Sequence, residues 1–248
     1  MPEPRHLRNA PITEAIIDFR VKARPDFRAE EFGVLRKTLG SRLPRIEERR
    51  GGKIAFQFTP GRPQPAQFED LGLQGLILKT EDQKTIAQFR TDGFTFNRLK
   101  PYTRWDELYP IAKDLWNYYV EIAKPQIVTR LALRYLNHVE LPANVDDFDT
   151  YLRAAPPIPP ELPQYLSAFL TRVTIHDPEA GVAAHISQAL ETGAGGRKII
   201  VIVDIDAFKE GEFEPAAPEI DDAFGLLHNL KNRIFFHLLT DEALRLFQ

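Results

Sequence analysis

Two aspartates stand two residues apart in an otherwise apolar segment of the sequence. Asp204 and Asp206 interrupt the β-branched run that begins at Ile199, and strand alternation points both carboxylates to one face. Convergent carboxylates of this kind hold Mg²⁺ or Mn²⁺ in enzymes that act on phosphate esters. The alternative is that they mark where a buried strand emerges into water, because Ile200 and Ile202 precede them on the same face.

Arginines share a face with acidic residues, or with each other, in two further predicted strands. Arg20 lies on the same side of its strand as Glu14 and Asp18, and Arg130 and Arg134 share one side of a later strand. Their guanidinium groups can hold a carboxylate or phosphate of a partner. The favoured interpretation is a salt-bridged face, in which arginine neutralises the aspartate pair and leaves little charge for a metal. The candidate binding residues are Arg20, Arg130, Arg134, Asp204 and Asp206.

The remaining reactive residues form no complete catalytic set. His176 and His185 flank a predicted hairpin loop, but no third zinc ligand is evident near them. The glycine-rich segment 193–198 leads into a strand rather than a helix, so it predicts a hairpin turn and not a phosphate loop. Cysteine is absent, and no serine lies in a nucleophile elbow. The sequence therefore predicts no catalytic residue, no metal site and no cofactor, and it favours a protein that is not an enzyme.

The overall charge and the apolar pattern limit which partners and which cellular location the sequence favours. The formal net charge is -3, whereas dedicated nucleic-acid binders are usually basic, so nucleic acid is not indicated. No apolar run approaches the ~20 residues that a membrane helix needs. The absence of cysteine fits a reducing compartment, and no apolar signal region follows the N-terminus. We therefore expect a cytoplasmic protein with no membrane association.

The elements that position these residues are predicted to occur twice in one order. A strand over residues 11–21 precedes a helix over 25–43, several strands and a long helix over 103–123. A strand over 127–137 then precedes a short helix, further strands and a long helix over 218–238.

This repeated order predicts the fold class. We expect an α+β fold of two pseudo-repeated β-α-β(3-4)-α halves, residues 1–124 and 125–248, that form one compact unit. The halves share an antiparallel sheet with the long helices on one face. The order is analogous to the saddle of TATA-binding proteins, and a helix-grip fold is the alternative.

Apolar residues recur at helical spacing in both long helices. In the second helix the stripe consists of Ile220, Phe224, Leu227, Leu230, Ile234 and Leu238. We expect the large residues of both helices to pack against the sheet, and the test cases are Trp105, Trp116, Tyr119, Phe224, Leu227 and Ile234.

Three segments carry a family resemblance. They are the opening Leu7–Arg20, the strand Arg130–Asn137 and the ending Phe235–Phe247. On these segments the chain resembles a sporadically distributed bacterial protein family of about this length. The resemblance implies a single full-length unit, and it implies no activity and no catalytic residues, because the family has no established function.

Three kinds of function remain open. The first is non-catalytic binding of a protein partner or a second copy of the chain through the polar face of the sheet. The second is a divalent-metal-dependent enzyme that acts on phosphate esters through Asp204 and Asp206. The third, from the helix-grip analogy alone, is small-molecule binding under the C-terminal helix, which a cavity beneath residues 220–238 would favour.

Overall fold

One antiparallel sheet dominates the protein. A computed structural model of the chain describes residues 7–55, 58–59, 62–63, 67–143, 145, 147–192 and 199–248. The strands in this part are β1 (Ile12–Lys22), β2 (Arg45–Ala55), β3 (Phe58–Thr59), β4 (Arg62–Pro63), β5 (Gln67–Lys79), β6 (Thr85–Arg90), β7 (Gly93–Leu99), β8 (Ile127–Leu141), β9 (Leu170–Asp177), β10 (Val182–Thr192) and β11 (Ile199–Phe213). Nine of them pair in the order β2-β5-β6-β7-β1-β8-β11-β10-β9, and β3 pairs with β4 alone.

The helices are few and unequal in length. Those of the described ranges are α1 (Leu35–Thr38), α2 (Trp105–Ala123), α3 (Glu219–Leu238) and α4 (Asp241–Arg245), with 3-10 segments at Ala29–Val34 and Phe148–Thr150. Within these ranges, none of the helices has the length and apolarity needed to cross a membrane.

Side-chain alternation in the two central strands explains where the core lies. In β1, Ala15, Ile17 and Phe19 are at most 1% exposed, and the residues between them point to the opposite face. The ring of Phe19 stacks on Trp116 of α2 with centroids 4.1 Å apart, and it also meets Phe224 of α3 at 5.0 Å. The two long helices therefore cover one face of the sheet and leave the other face open.

Polar contacts fix α2 against the chain at the start of α3. The Tyr109 hydroxyl donates to a carboxylate oxygen of Asp221 at 2.6 Å, and the Lys113 ammonium donates to the same carboxylate. The indole N–H of Trp116 donates to the carbonyl of Pro215 at 3.0 Å. These bonds hold α3 in one place over the sheet, which matters because α3 forms a wall of the cleft described below.

The predicted packing of the long helices is confirmed at every test residue except one. The buried ones are Trp116, Tyr119, Phe224, Leu227 and Ile234. Trp105 is the exception, because it packs at the edge of the core and remains partly exposed. Its ring stacks on a histidine of α3 instead of on the sheet.

The predicted fold class is wrong, both as the saddle of two pseudo-repeated halves with long helices and as the helix-grip alternative. The structure is mostly one large nine-stranded antiparallel sheet with four helices, 26% helical and 43% strand. The two parts contribute unequally, since β8 and β11 each run for 15 residues while β6 and β7 have 6 and 7. Repeated element order had predicted matched units, but order does not determine how long each element is.

The predicted helix over residues 25–43 shows the cause of this error. Its apolar residues Phe32, Leu35, Leu39 and Leu43 are all buried, as the spacing predicts. The backbone, however, forms a 3-10 segment followed by the four-residue α1. Apolar spacing thus identified the buried residues correctly and overestimated the helix, in a segment that Gly33 weakens by about 1 kcal/mol relative to alanine.

Two further expectations have no test here. The division into residues 1–124 and 125–248 stays a prediction. The glycine-rich hairpin turn predicted at 193–198 lies outside the described residues.

Candidate functional site

On the open face of the sheet, Arg134 and Asp204 form a bidentate ion pair. Nε of Arg134 donates to Oδ1 of Asp204 at 2.8 Å, and Nη2 donates to Oδ2 at 2.6 Å. Strand register explains the pairing, because Arg134 lies directly opposite Asp206 and diagonal to Asp204 across β8 and β11.

Arg130 forms the second ion pair on this face. Its guanidinium lies over the ring of Phe208, with 4.8 Å between the guanidinium carbon and the ring centroid, and Nη2 donates to Asp206 at 2.9 Å. The Arg130 and Asp206 side chains are each 23% exposed, so the pair is partly shielded from water.

A third cluster surrounds Asp18 of β1. One carboxylate oxygen accepts from the Thr95 hydroxyl at 2.6 Å and from Nη2 of Arg90 at 3.1 Å. The other oxygen accepts from Nε of Arg20 at 3.0 Å, and Arg20 also donates to Asp92 at 2.9 Å. Asp18 and Arg90 are both largely buried, so this carboxylate neutralises a cation that has little access to water.

The salt-bridged face predicted from the sequence is therefore confirmed. Arg20 lies opposite Arg130 on neighbouring strands, yet each arginine is paired with its own aspartate. Within the described residues, no group of three or more histidine, aspartate or glutamate side chains is placed to hold a metal ion. The binding role of Arg20, Arg130, Arg134, Asp204 and Asp206 stays a prediction.

The two histidines considered for zinc lie on the same part of the sheet without forming a centre. His185 of β10 lies opposite Thr174 of β9, and its Nδ1 is 2.8 Å from the threonine hydroxyl. His185 also packs against Phe208, with ring centroids 4.7 Å apart. His176 lies two pairs further along, opposite Ala183.

A cleft of about 590 Å³ lies on the other side of the molecule, beneath α3. This volume is in the range of small-molecule sites. Its walls come from the segment before β1 with the first residue of β1, the loop that enters α2 with the first turn of α2, one residue of β8 and one face of α3. The lining residues are Leu7, Arg8, Ala10, Ile12, Tyr102, Thr103, Arg104, Trp105, Asp106, Glu107, Asn137, His228, Lys231, Asn232, Phe235 and Phe236.

Lys231 is the buried cation of this cleft. It is 6% exposed, and its Nζ lies 3.9 Å from the centroid of the Tyr135 ring. Nζ donates a hydrogen bond to Oδ1 of Asn232 at 2.6 Å. In the part of the chain that the structure describes, no carboxylate forms an ion pair with Lys231. Burial lowers the pKa of Lys231 to about 7, because the charged form is removed from water.

An amide links Lys231 to an aromatic stack. The Asn232 side chain also donates through Nδ2 to Nε2 of His228, at 3.3 Å. The His228 ring stacks on Trp105, with centroids 4.7 Å apart and planes 11° from parallel. Burial, assisted by the charge of Lys231, lowers the pKa of His228 to about 4. The histidine is therefore neutral at physiological pH, and its Nε2 can act as an acceptor.

Two tyrosines interact next to the cleft: Tyr102 lines it, and Tyr135 is fully buried behind it. The hydroxyls of Tyr135 and Tyr102 lie 3.0 Å apart. Burial raises the pKa of both phenols, most strongly that of Tyr135. Both phenols therefore stay neutral, and Tyr135 offers Lys231 a ring face but no counter-charge.

The rim of the cleft is exposed and carries both signs of charge. Arg8 and Arg104 contribute cations, and Asp106 and Glu107 contribute anions. Arg104 is 3.7 Å from Asp106, and both side chains are mostly in water. Charge at the rim is thus solvated and partly paired, unlike the charge of Lys231 inside.

Sequence reasoning missed Lys231, although a signal was present. Steps of 4, 3, 4, 3 and 4 residues along α3 trace one face of the helix from Ile220 to Leu238. The third step lands on Lys231, although Leu230 beside it is apolar. A lysine on the core stripe of a helix is unusual, because lysine is almost never fully buried unless paired. Trp105 and His228 gave no comparable signal, since they meet across elements that lie far apart in the sequence.

Comparison with known proteins leaves the geometry as the basis for function. No protein-family model matches the chain, and no curated protein matches it either. The bacterial family resemblance stays a prediction.

Proposed function

We propose that the protein binds a small, mostly apolar molecule with a carboxylate end in the cleft beneath α3, and that Lys231 anchors the carboxylate. The observation that carries this proposal is the burial of a lysine against a cleft, without an acidic partner in the described residues. A bound carboxylate would supply the missing counter-charge. A hydrogen bond to a charged group contributes about 1.5–3 kcal/mol.

The apolar lining supports the rest of the proposed ligand. Phe235, Phe236 and Trp105 provide aromatic surface, and Ile12 and Leu7 provide aliphatic surface. Arg8 and Arg104 at the rim favour the approach of an anion. This combination of an apolar lining with a few placed polar groups is typical of small-molecule sites.

Displacement of a fluorescent probe tests the proposal. Anilinonaphthalene sulfonate, an apolar anion, should bind at neutral pH and be displaced by octanoate. Lys231→Met should weaken octanoate binding at least about tenfold, because a charge-assisted hydrogen bond is lost. The matched control is Lys37→Met, which removes an exposed lysine of α1 outside the cleft. Octanol serves as the uncharged ligand and should bind parent and Lys231→Met alike. Equal octanoate affinity in the parent and Lys231→Met would contradict the proposal.

Binding of a protein partner through the polar face is the second candidate. The Arg20 and Arg134 side chains are 46% and 44% exposed, so part of each guanidinium faces water. A partner would have to compete with aspartates that already hold them, which places this candidate second. The metal-enzyme alternative loses its support, since an arginine neutralises each aspartate of the pair. A cytoplasmic location stays a prediction.

A further inference from the structure

Lys231 has the surroundings that activate a lysine amine as a nucleophile. Lysines of this kind are held in apolar sites, where desolvation removes the proton near neutral pH. Lys231 is buried, faces a cleft and lies against the neutral ring of Tyr135.

The position of Nζ is also fixed. Oδ1 of Asn232 accepts its hydrogen bond, and the ring of Tyr135 lies on another side. Asn232 is itself held by His228, which stacks on Trp105. Asn232 is thus a positioning residue for the amine of Lys231, which lines the cleft.

From this geometry we infer that Lys231 forms an imine with an aldehyde lying in the cleft. The inference rests on the proposed function, because the aldehyde must occupy the same cleft as the carboxylate ligand. It goes further by assigning covalent chemistry to the residue and an aldehyde-bearing apolar molecule as a second ligand class.

The reaction balances without an oxidant or a reductant. The lone pair of the neutral amine attacks the carbonyl carbon, a C–N bond forms, and the carbonyl oxygen takes a proton from nitrogen to give a carbinolamine. The C–O bond then breaks, and the hydroxyl leaves as water with the second proton of the amine. The product is the imine R–CH=N–Lys231, and water reverses the reaction.

Reductive trapping on the full chain tests the inference. The protein is incubated with octanal and cyanoborohydride at pH 7, and modified peptides are mapped by mass spectrometry. We expect the octyl adduct on Lys231 to form at least about tenfold faster than on exposed Lys37. Trapping at Lys231 should rise with pH through about 7. Excess octanoate should suppress the Lys231 adduct, and Lys231→Arg should lack it.

The outcomes separate the two proposals. An adduct spread over the exposed lysines, with no preference for Lys231, overturns the imine. If octanoate displaces the fluorescent probe but octanal gives no Lys231 adduct, carboxylate binding stands and imine formation fails. If octanoate neither displaces the probe nor protects Lys231, the proposed function fails as well. Peptide mapping in the parent chain decides the question even if Lys231→Arg does not fold.

Discussion

Two cations of this protein lie over aromatic rings, and they differ in what else they contact. Arg130 lies 4.8 Å from the Phe208 centroid and also holds Asp206. Lys231 lies 3.9 Å from the Tyr135 centroid, and among the described residues its hydrogen bond goes to the neutral amide of Asn232. A ring face contributes about 0.5–2 kcal/mol to a cation, less than the cost of burying one. Arg20, Arg130 and Arg134 on the open face thus have acidic partners, whereas Lys231 has none within the described residues, and a ligand can supply one.

The largest expected effect is a loss of stability from a substitution on the open face. Asp18→Asn removes the buried carboxylate next to Arg90 and leaves it the exposed carboxylate of Asp92, and removing one partner of a buried pair costs up to about 3–5 kcal/mol. Urea unfolding should report this loss as a lower midpoint at unchanged slope. The control is Asp92→Asn, which contacts the same two arginines from an exposed position and should cost less than about 1 kcal/mol. Equal losses in the two variants would mean that burial does not distinguish the two aspartates.

A substitution in the cleft should change the free energy of unfolding in the opposite direction. Lys231→Met keeps an unbranched side chain that is one atom shorter and removes the buried charge, so it should stabilise the ligand-free protein by about 1–4 kcal/mol. The same variant should lose octanoate binding, so stability and binding change in opposite directions. A destabilised Lys231→Met at pH 7 would show that the ammonium is already compensated in the free protein.

The difference in stability between Lys231→Met and the parent should depend on pH. Folding lowers the pKa of Lys231 from 10.5 to about 7, so between these values the unfolded chain binds more protons than the folded one. Parental stability therefore rises with pH in this window, and the advantage of Lys231→Met should shrink by about 2 kcal/mol between pH 7 and 9.

The other titratable groups around the cleft should not contribute to the pH-dependent difference in stability between the parent and Lys231→Met. Tyr102, Tyr135 and His228 are neutral across this range and contribute no slope. The rim carries Arg8, Arg104, Asp106 and Glu107, which the parent and Lys231→Met share. Unfolding curves of both proteins at each pH isolate Lys231, and a difference independent of pH would contradict its lowered pKa.

The smallest effect is expected from a single exposed pair. A double-mutant cycle on Arg134→Gln and Asp204→Asn should give a coupling energy of about 0.2–1 kcal/mol, because the Arg134 side chain is 44% exposed. The coupling should fall at high salt. A coupling above about 2 kcal/mol would mean that the open face is less accessible to water than its exposure indicates.

The central sheet and its polar face were accessible to sequence reasoning. Alternation in β1 and β8 separates buried from open residues one by one, as Phe19 and Arg20 illustrate. It also predicted that arginines and aspartates of neighbouring strands would meet, because alternation is local and a sheet places like faces side by side.

The cleft was not accessible in the same way. It depends on how α3 lies over the N-terminal segment and the loop before α2, which no local pattern encodes. Lys231 interrupts the apolar stripe of α3. The apolar Leu230 beside it fits the stripe almost as well, so the sequence pattern does not reveal the interruption, and both residues are buried. Element order likewise gave the wrong fold class, since strand length in this protein is set by pairing along the sheet.

The position of β1 has a consequence for synthesis on the ribosome. It lies between β7 and β8, and its last residue precedes the first residue of β8 by about a hundred positions. At ~5–20 residues per second, the first strand waits roughly 5–20 s before its second neighbour is made. During that interval one edge of β1 and the apolar side chains of its buried face lack their final partners. The nascent chain is therefore most exposed to misassociation before β8 emerges, and a ribosome that stalls in α2 would release a chain whose central strand has an open edge.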